Sequence, residues 1–260
     1  MVAPKIWRFI DTGYASAAWN MAVDEALLEN YNKNDLPILR LYGWKPSLSL
    51  GRFSKISQSV DKQELQKQRF PSVRRMTGGG ILVHGGDLSY TLVLPREFLD
   101  DKGVKESYRY LCRFLILLYD RLGYKADFAC DLNLELKGSE VCLAGNEAYD
   151  IMINTQKMGG NAQRYTRHVL FQHGSIPIEM DKVSFKTIFI GDAGLERATS
   201  LRELGSSIEY EALTRLLRET FSEAFSVKTV TDTLNASEEQ RAQELLRDKY
   251  TQQRWNSDAK

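Results

Sequence analysis

The chain has 260 residues, enough to bury a substantial core in one large domain or two smaller ones. Its 35 lysines and arginines nearly balance 34 aspartates and glutamates, so no summed charge would attract nucleic acid or an anionic membrane over long range. The apolar fraction of 43% is typical of a folded soluble protein. No apolar run approaches the roughly 20 residues that cross a bilayer. We therefore expect a cytoplasmic protein that binds neither nucleic acid nor membrane.

The cysteines are few and scattered. Cys112, Cys130 and Cys142 form no CxxC pair, and their odd count argues against both a disulfide framework and a structural zinc site. We expect at least one free thiol and no metal site.

The N-terminal third alternates between strand and helix patterns. Residues 6–11 predict a strand, and apolar spacing from Ala15 to Tyr31 predicts a helix that Ser16 could cap. Two β-like runs within residues 38–51, separated by Lys-Pro, predict a hairpin. A polar segment over residues 61–70 predicts a surface helix.

The remaining elements complete an α+β pattern. Residues 74–95 are typical of a loop, a strand, a turn and a strand, and residues 105–122 predict an amphipathic helix with Cys112 on its buried stripe. Residues 124–178 contain short strands, and two helices follow. With no repeat or linker, we expect a single α+β domain over residues 1–260, a mostly antiparallel mixed sheet flanked by helices, with a helical C-terminal extension from about 206–260.

A run of three glycines is the first candidate binding element. Gly78, Gly79 and Gly80 follow Arg74 and Arg75, so a bare backbone and two cations could approach an acyl, phosphate or phosphopantetheine group. Taken alone, this run is more often a flexible hairpin loop with solvated arginines. It matches neither the dinucleotide fingerprint nor the P-loop.

A second group of residues carries more specific chemistry. Lys157 begins KMGGNAQ, and His173 begins HGSI, so an ammonium, a bare backbone and an imidazole could share one pocket. Singly, these are more often a surface lysine and a structural histidine. Cys142 stands in a β-like run, EVCLAG, and a free cysteine is more often a small buried hydrophobe. A reactive thiol there would need its pKa lowered from about 8.5 by a cation such as Lys157 or by a histidine.

Three motifs together resemble the biotin/lipoate protein ligase superfamily. They are RRMTGGGILVH at 74–84, KMGGNAQ at 157–163 and HGSI at 173–176. NMAVDEALLE and LRLYGWKPSLSLG are similar to the family's first helix and the segment after it. The resemblance covers residues from about 7 to 178 and implies the biotin/lipoate protein ligase catalytic fold.

The resemblance also implies roles for particular residues. It places acyl binding on a set of residues near the glycines and the two histidines, namely Arg75, Gly78, Gly79, Gly80, His84, Ala162 and His173. Lys157 would be catalytic. Cys142 lies fifteen residues before Lys157, a spacing similar to that of the cysteine-dependent octanoyltransferases, which move octanoyl groups from octanoyl-acyl carrier protein. The resemblance therefore implies that Cys142 is the nucleophile.

The function so implied is transfer of an octanoyl group from octanoyl-acyl carrier protein, through a Cys142 thioester, to a lysine of a lipoyl-carrier protein. The acceptor would be a protein such as the glycine cleavage H protein or the E2 lipoyl domain of a dehydrogenase. No cofactor is needed. The alternatives are an ATP- and magnesium-dependent lipoate protein ligase, an amidotransferase between carrier proteins, and a non-catalytic binding subunit.

Overall fold

The computed structural model describes residues 5–99, 102–132, 148–191 and 193–257. The strands are β1 (Ile6–Ala15), β2 (Ile38–Trp44), β3 (Ser47–Leu50), β4 (Ser72–Arg74), β5 (Leu82–His84), β6 (Asp87–Pro95), β7 (Ala126–Phe128), β8 (Ile151–Ile153), β9 (Gln156–Lys157), β10 (Gly160–Tyr165), β11 (Val169–Pro177) and β12 (Lys228–Asp232). The helices are α1 (Ala17–Asn30), α2 (Ile56–Ser59), α3 (Lys62–Lys67), α4 (Val104–Arg121), α5 (Lys182–Lys186), α6 (Tyr210–Phe225), α7 (Ala236–Leu245) and α8 (Gln253–Asn256). None of the helices described is long and apolar enough to cross a membrane.

A six-stranded mixed sheet forms the centre, in the order β10-β11-β6-β2-β1-β12. The pairs β10–β11, β11–β6 and β6–β2 are antiparallel, whereas β1 is parallel to both β2 and β12. Two small sheets, β4-β3-β5 and β7-β8-β9, lie beside it. The predicted α+β class and the mostly antiparallel mixed sheet are therefore confirmed.

The helices cover both faces of the central sheet. Residues of α4 and α6 share one buried apolar cluster with the side chains of β6 that alternate from Leu88 to Leu94. Residues of α1 and α7 share a second cluster with Val93, which points to the opposite face. This is the three-layer result expected when a strand buries alternate residues against helices on each side.

Local signals account for the two longest helices of the N-terminal half. The Ser16 hydroxyl accepts a hydrogen bond from the backbone N–H of Trp19 and so caps α1, as predicted. The amphipathic stripe of α4 faces the core and buries Cys112 completely, again as predicted. Both helices are thereby fixed against the sheet that carries the site.

The predicted hairpin of residues 38–51 is wrong. Strand β2 pairs with β1 and β6 in the central sheet, whereas β3 pairs with β4 and β5 in a separate sheet. Every residue of β2 is buried, so this strand needs a neighbour on each edge. Pro46 has no N–H to continue a ladder, and the chain leaves the central sheet there.

The C-terminal segment contains a strand as well as helices. Residues 228–232 lie within the predicted helical C-terminal extension, but they form β12 and extend the central sheet beside β1. Helix α6 packs on the same core as α4. The last turn of α7 passes into a π-helical turn, Leu246–Tyr250, before α8.

Candidate active site

The glycine run is held in place by a buried arginine. Arg75 Nη1 donates to the carbonyl and the hydroxyl of Ser49, both at 2.8 Å, and Nη2 donates to the carbonyls of Gly78 and Gly80 at 3.1 and 2.9 Å. Gly79 has a φ of +90°, which favours glycine. The interpretation as a flexible loop with solvated arginines is therefore wrong, because Arg75 is only 3% exposed and fastens the loop to β3.

His84 belongs to a chain of buried polar groups behind this loop. Its Nδ1 donates to Asp87 Oδ2 at 2.9 Å, because a carboxylate only accepts, and its Nε2 lies 2.7 Å from Ser49 Oγ. The ring of Trp44 stacks on the imidazole at 3.9 Å. Burial disfavours the charged form of Asp87, but the facing His84 and the Ser175 hydroxyl outweigh burial and hold the pKa of this carboxyl below its ordinary range.

His173 occupies a matching position in a second polar chain. Its Nδ1 lies 3.1 Å from Asp24 Oδ2 and its Nε2 lies 2.7 Å from Thr77 Oγ1. Arg40 makes a 2.6 Å ion pair with Asp24. Burial opposes the charge of Asp24, yet Arg40 and then His173 outweigh burial and lower the pKa of the carboxyl.

Burial also governs the titration of His173 itself. Desolvation is the largest effect and lowers the pKa of the imidazole, although Asp24 partly opposes it. The ring is therefore neutral at pH 7, with its proton on Nδ1 facing Asp24. Nε2 then accepts the hydrogen bond from the Thr77 hydroxyl, so both ring nitrogens are engaged.

Lys157 is buried in an ion pair. Its Nζ lies 2.6 Å from Asp150 Oδ2, and the two side chains are 1% and 7% exposed. Asp150 directly precedes β8, which runs antiparallel to β9, so the pairing of Met152 with Lys157 brings the two charges together. A buried ammonium is costly unless it is paired. Lys157 is thus not the surface lysine that the residue type alone would suggest.

These groups surround one cleft of about 680 Å³, its open mouth included. The predicted site residues that line it are Arg75, Gly78, Gly79, His84, Ala162 and His173. Lys157 and Gly80 are not lining residues, but Lys157 is paired with the lining residue Asp150, and the Gly80 carbonyl accepts from the lining residue Arg75. The structure therefore brings the three sequence motifs together. Cys142 and the run EVCLAG lie outside the described residues.

The floor of the cleft has a polar framework of its own. Tyr90 donates to Asn161 Oδ1 at 2.7 Å and accepts from Gln172 Nε2 at 2.8 Å. Cys112 lies beneath them, 3.4 Å from Gln172 Nε2. A methyl group at Gly174 would lie 2.2 Å from Asn161 Oδ1 and 2.6 Å from the Tyr90 ring, so a larger residue there would displace these two side chains.

Several site residues were missed by sequence reasoning, namely Ser49, Asp24, Asp87, Thr77, Tyr42, Trp44, Asn161 and Asp150. One signal could have found Asp24. Asn20 and Asp24 stand four residues apart on a helix whose other buried residues are mostly apolar, and both contact Arg40. Two polar residues on one buried face predict a partner in the core. The role of Asp150 has no comparable local signal.

Comparison with known proteins identifies the family. A sequence model of the lipoyl protein ligase A/B catalytic domain matches residues 16–222. The chain belongs to this family. Within it, the octanoyltransferase LipM of Kyrpidia tusciae is 34% identical over 269 residues, covering 96% of this chain and 98% of the relative. The LipM proteins of Geobacillus kaustophilus and Bacillus subtilis are 30% and 29% identical over 98% and 96% of this chain.

Solved structures of the family confirm the fold. A lipoate-protein ligase A bound with ATP superposes with a TM-score of 0.84 at 24% identity, covering 96% of this chain and 98% of the other. A bi-partite lipoate protein ligase from Thermoplasma acidophilum gives 0.80 at 22% identity, with 96% and 95% covered. The predicted lipoate protein ligase fold is thus confirmed. Given its similarity to octanoyltransferases over nearly its full length, the chain is an enzyme, a transferase.

Proposed function

We propose that the protein transfers an octanoyl group from octanoyl-acyl carrier protein to a lysine of a lipoyl-carrier protein, through a thioester on Cys142. The observation that carries this proposal is the buried Lys157–Asp150 ion pair beside a cleft lined by Arg75 and the glycine loop. It occurs in a chain similar to octanoyltransferases over nearly its full length. We further propose that residues 1–260 act as one catalytic unit, because α6 and β12 complete the core and the sheet that carry the cleft. We place this activity in the cytoplasm.

The assignment of the nucleophile is supported by the two thiols that the structure describes. Burial raises the pKa of Cys112 to about 12, so this thiol carries almost no thiolate at neutral pH. Cys130 is exposed and contacts Arg109 and Asp131, and it is not among the residues that line the cleft. Cys142, fifteen residues before Lys157, is therefore our candidate.

The first step is an exchange of thioesters. The Cys142 thiolate attacks the octanoyl carbonyl, a new carbon–sulfur bond forms, and the bond to the carrier's phosphopantetheine sulfur breaks. The leaving thiolate takes up a proton. Attack places negative charge on the carbonyl oxygen, which the Lys157 ammonium and N–H groups near Gly78 and Gly79 would stabilise. Asp150 would hold the ammonium in place.

The second step forms an amide. The deprotonated ε-amine of the acceptor lysine attacks the Cys142 thioester and a carbon–nitrogen bond forms. The carbon–sulfur bond then breaks to regenerate the Cys142 thiolate, and the nitrogen releases its second proton to water. The acceptor ammonium must lose a proton first. His173 would take that proton only by giving up its hydrogen bond from Thr77. We propose that His173 shapes the cleft wall and is not the base. No ATP or metal is required, because the donor thioester is already activated.

The cleft would also select the acyl chain. Tyr42, Trp44 and Leu82 give part of it an apolar lining. Each buried methylene contributes roughly 0.8 kcal/mol, so a chain that fills the apolar part is preferred over a shorter one. The proposed acceptor is a lipoyl domain because the lipoate protein ligase from Thermoplasma acidophilum, which has the same fold, was studied with its E2 lipoyl domain.

A transfer assay with three donors tests the proposal. The purified protein is given an apo lipoyl domain with octanoyl-acyl carrier protein, with an octanoylated H protein, or with lipoate, ATP and magnesium. Octanoylation of the domain with the first donor, without ATP, is the expected result. Modification with only the second donor would identify an amidotransferase. Lipoate-dependent pyrophosphate release with only the third would identify a ligase.

A further inference from the structure

The edge of β4 is completed by side chains from the end of the chain. β4 pairs with β3 on one edge, where Leu50 faces Arg74. On the other side, the backbone N–H of Arg74 donates to Asn256 Oδ1 and its carbonyl accepts from Trp255 Nε1, both at 2.8 Å. Two consecutive side chains of α8 thus take the place of a neighbouring strand.

The side chain of Arg74 extends this connection to β3. Its Nη2 donates to the carbonyl of Ser257 at 2.9 Å, and its Nη1 donates to the carbonyls of Gly51 and Ser54 at 2.7 and 2.8 Å. The guanidinium group is therefore shared between the C-terminal residues and the segment that follows β3. Arg74 is only 3% exposed, so these bonds form in a site largely closed to water.

The next residue along the chain is the one that fastens the glycine loop. Arg75 donates to the carbonyls of Gly78 and Gly80, and its own N–H bonds to Leu50 at 2.7 Å. The fit is tight, since a methyl group at Gly51 would lie 1.7 Å from the Gly79 carbonyl oxygen. A small shift of Arg74 would therefore move the loop.

The segment that supplies these side chains is anchored to α1. We call residues 249–257 the C-terminal clasp. Lys249 Nζ lies 2.5 Å from Glu25 Oε2 and 3.9 Å above the Trp255 ring, and Tyr250 donates to Glu25 at 2.8 Å. Glu25 neighbours Asp24, which holds His173 at the cleft. The C-terminal clasp thus contacts both α1, which carries Asp24, and β4, which precedes the glycine loop.

We propose that Trp255 and Asn256 are positioning residues for acyl transfer, which act by fixing β4 and, through Arg75, the glycine loop. They touch no reacting group. Their effect is to hold the loop where it receives the octanoyl chain. The statement about the octanoyl chain rests on the proposed function, whereas the statement about the loop position does not.

Four single variants test this role. Asn256→Leu removes both the acceptor for the Arg74 N–H and the Nδ2 donor to the Tyr250 carbonyl, whereas Asn256→Asp removes only the donor and so isolates the bond to Arg74. Trp255→Phe keeps the ring above Lys249 but removes the donor to the Arg74 carbonyl. Gln253→Ala changes an exposed residue of the same short helix and serves as the matched control.

The first readout is amide hydrogen exchange at Gly51, Arg52 and Arg75, whose N–H groups bond to Gly80, Thr77 and Leu50. We expect these amides to exchange about tenfold faster in Asn256→Leu and Trp255→Phe, as loss of one hydrogen bond of the edge strand implies. Asn256→Asp and Gln253→Ala should match the parent protein. Amides of β6 serve as an internal reference for global stability.

The second readout is kinetic. In Asn256→Leu the KM for the octanoyl donor should rise about tenfold while the KM for the acceptor domain stays constant, and Asn256→Asp should restore the donor KM. Unchanged exchange at the three amides in Asn256→Leu would overturn the inference, and so would equal acceleration at β6. If loop exchange rises but the parent protein transfers no octanoyl group, the proposed function fails and the positioning of the loop stands.

Discussion

Substitutions in the ion pair between Lys157 and Asp150 distinguish an effect on folding stability from an effect on catalysis. Asp150→Asn leaves a buried ammonium without the carboxylate that lies 2.6 Å away, and Lys157→Met leaves that carboxylate without the ammonium. Loss of one partner of a buried pair costs about 3–5 kcal/mol of unfolding free energy. The double variant has neither charge, and the methionine fills most of the space of the lysine stem. We expect it to be less destabilised than the two single variants added together, by at least about 2 kcal/mol.

Activity should follow a different pattern from stability. If the Lys157 charge stabilises the oxyanion, Lys157→Met and the double variant should both lose about 10²–10³ in the rate of octanoyl transfer. Asp150→Asn should be intermediate, because it keeps the ammonium but loses the carboxylate that holds it. Urea unfolding gives the free energies, and transfer to an apo lipoyl domain gives the rates.

Two results would refute this reasoning. Strictly additive losses of stability would mean that Lys157 and Asp150 do not interact in solution. A double variant that regained transfer activity along with stability would mean that Lys157 has only a structural role. Either result would remove the observation on which the proposed function rests.

Three further predictions follow from the same structure. Cys112→Ala should cost about 1 kcal/mol of unfolding free energy and leave octanoyl transfer unchanged, since that thiol is buried beneath the cleft; loss of transfer would contradict the assignment. Gly51→Ala should abolish transfer because its methyl group meets the Gly79 carbonyl, whereas Gly78→Ala meets no atom within 4 Å and should keep the parent melting temperature. Because burial lowers the pKa of His173, the unfolded chain binds more protons than the folded protein below about pH 6.5. The unfolding free energy should therefore fall as the pH drops below about 6.5. His173→Gln should weaken that pH dependence in urea titrations.

Much of the fold could be predicted from periodicity. The stripe of α4, the cap of α1 at Ser16 and the alternation along β6 each follow from a local pattern and are confirmed. The hairpin of residues 38–51 failed because pairing partners are chosen by tertiary burial, and β2 needed β1 and β6 on its two edges. Strand β12 was missed because it is short and mostly exposed, with little apolar alternation to reveal it.

The residues of the candidate site were more predictable than the hydrogen bonds and ion pairs that connect them. The three motifs supplied Arg75, His84, Lys157 and His173, and the structure brings them around one cleft, Lys157 through its ion partner. That partner, Asp150, could not be inferred, because the contact depends on the register of two short strands. The contact between α8 and Arg74 spans about 180 residues of sequence and has no local signal at all.

The central claim is that an octanoyl group rests on Cys142 between donor and acceptor. It is tested most directly by the mass of the intact protein after mixing with octanoyl-acyl carrier protein, followed by peptide mapping. We predict a gain of one octanoyl group on the peptide that contains Cys142, removed by hydroxylamine, present in Cys112→Ala and absent in Cys142→Ala. Full transfer activity in Cys142→Ala, with no acylated protein at any time, would contradict the account.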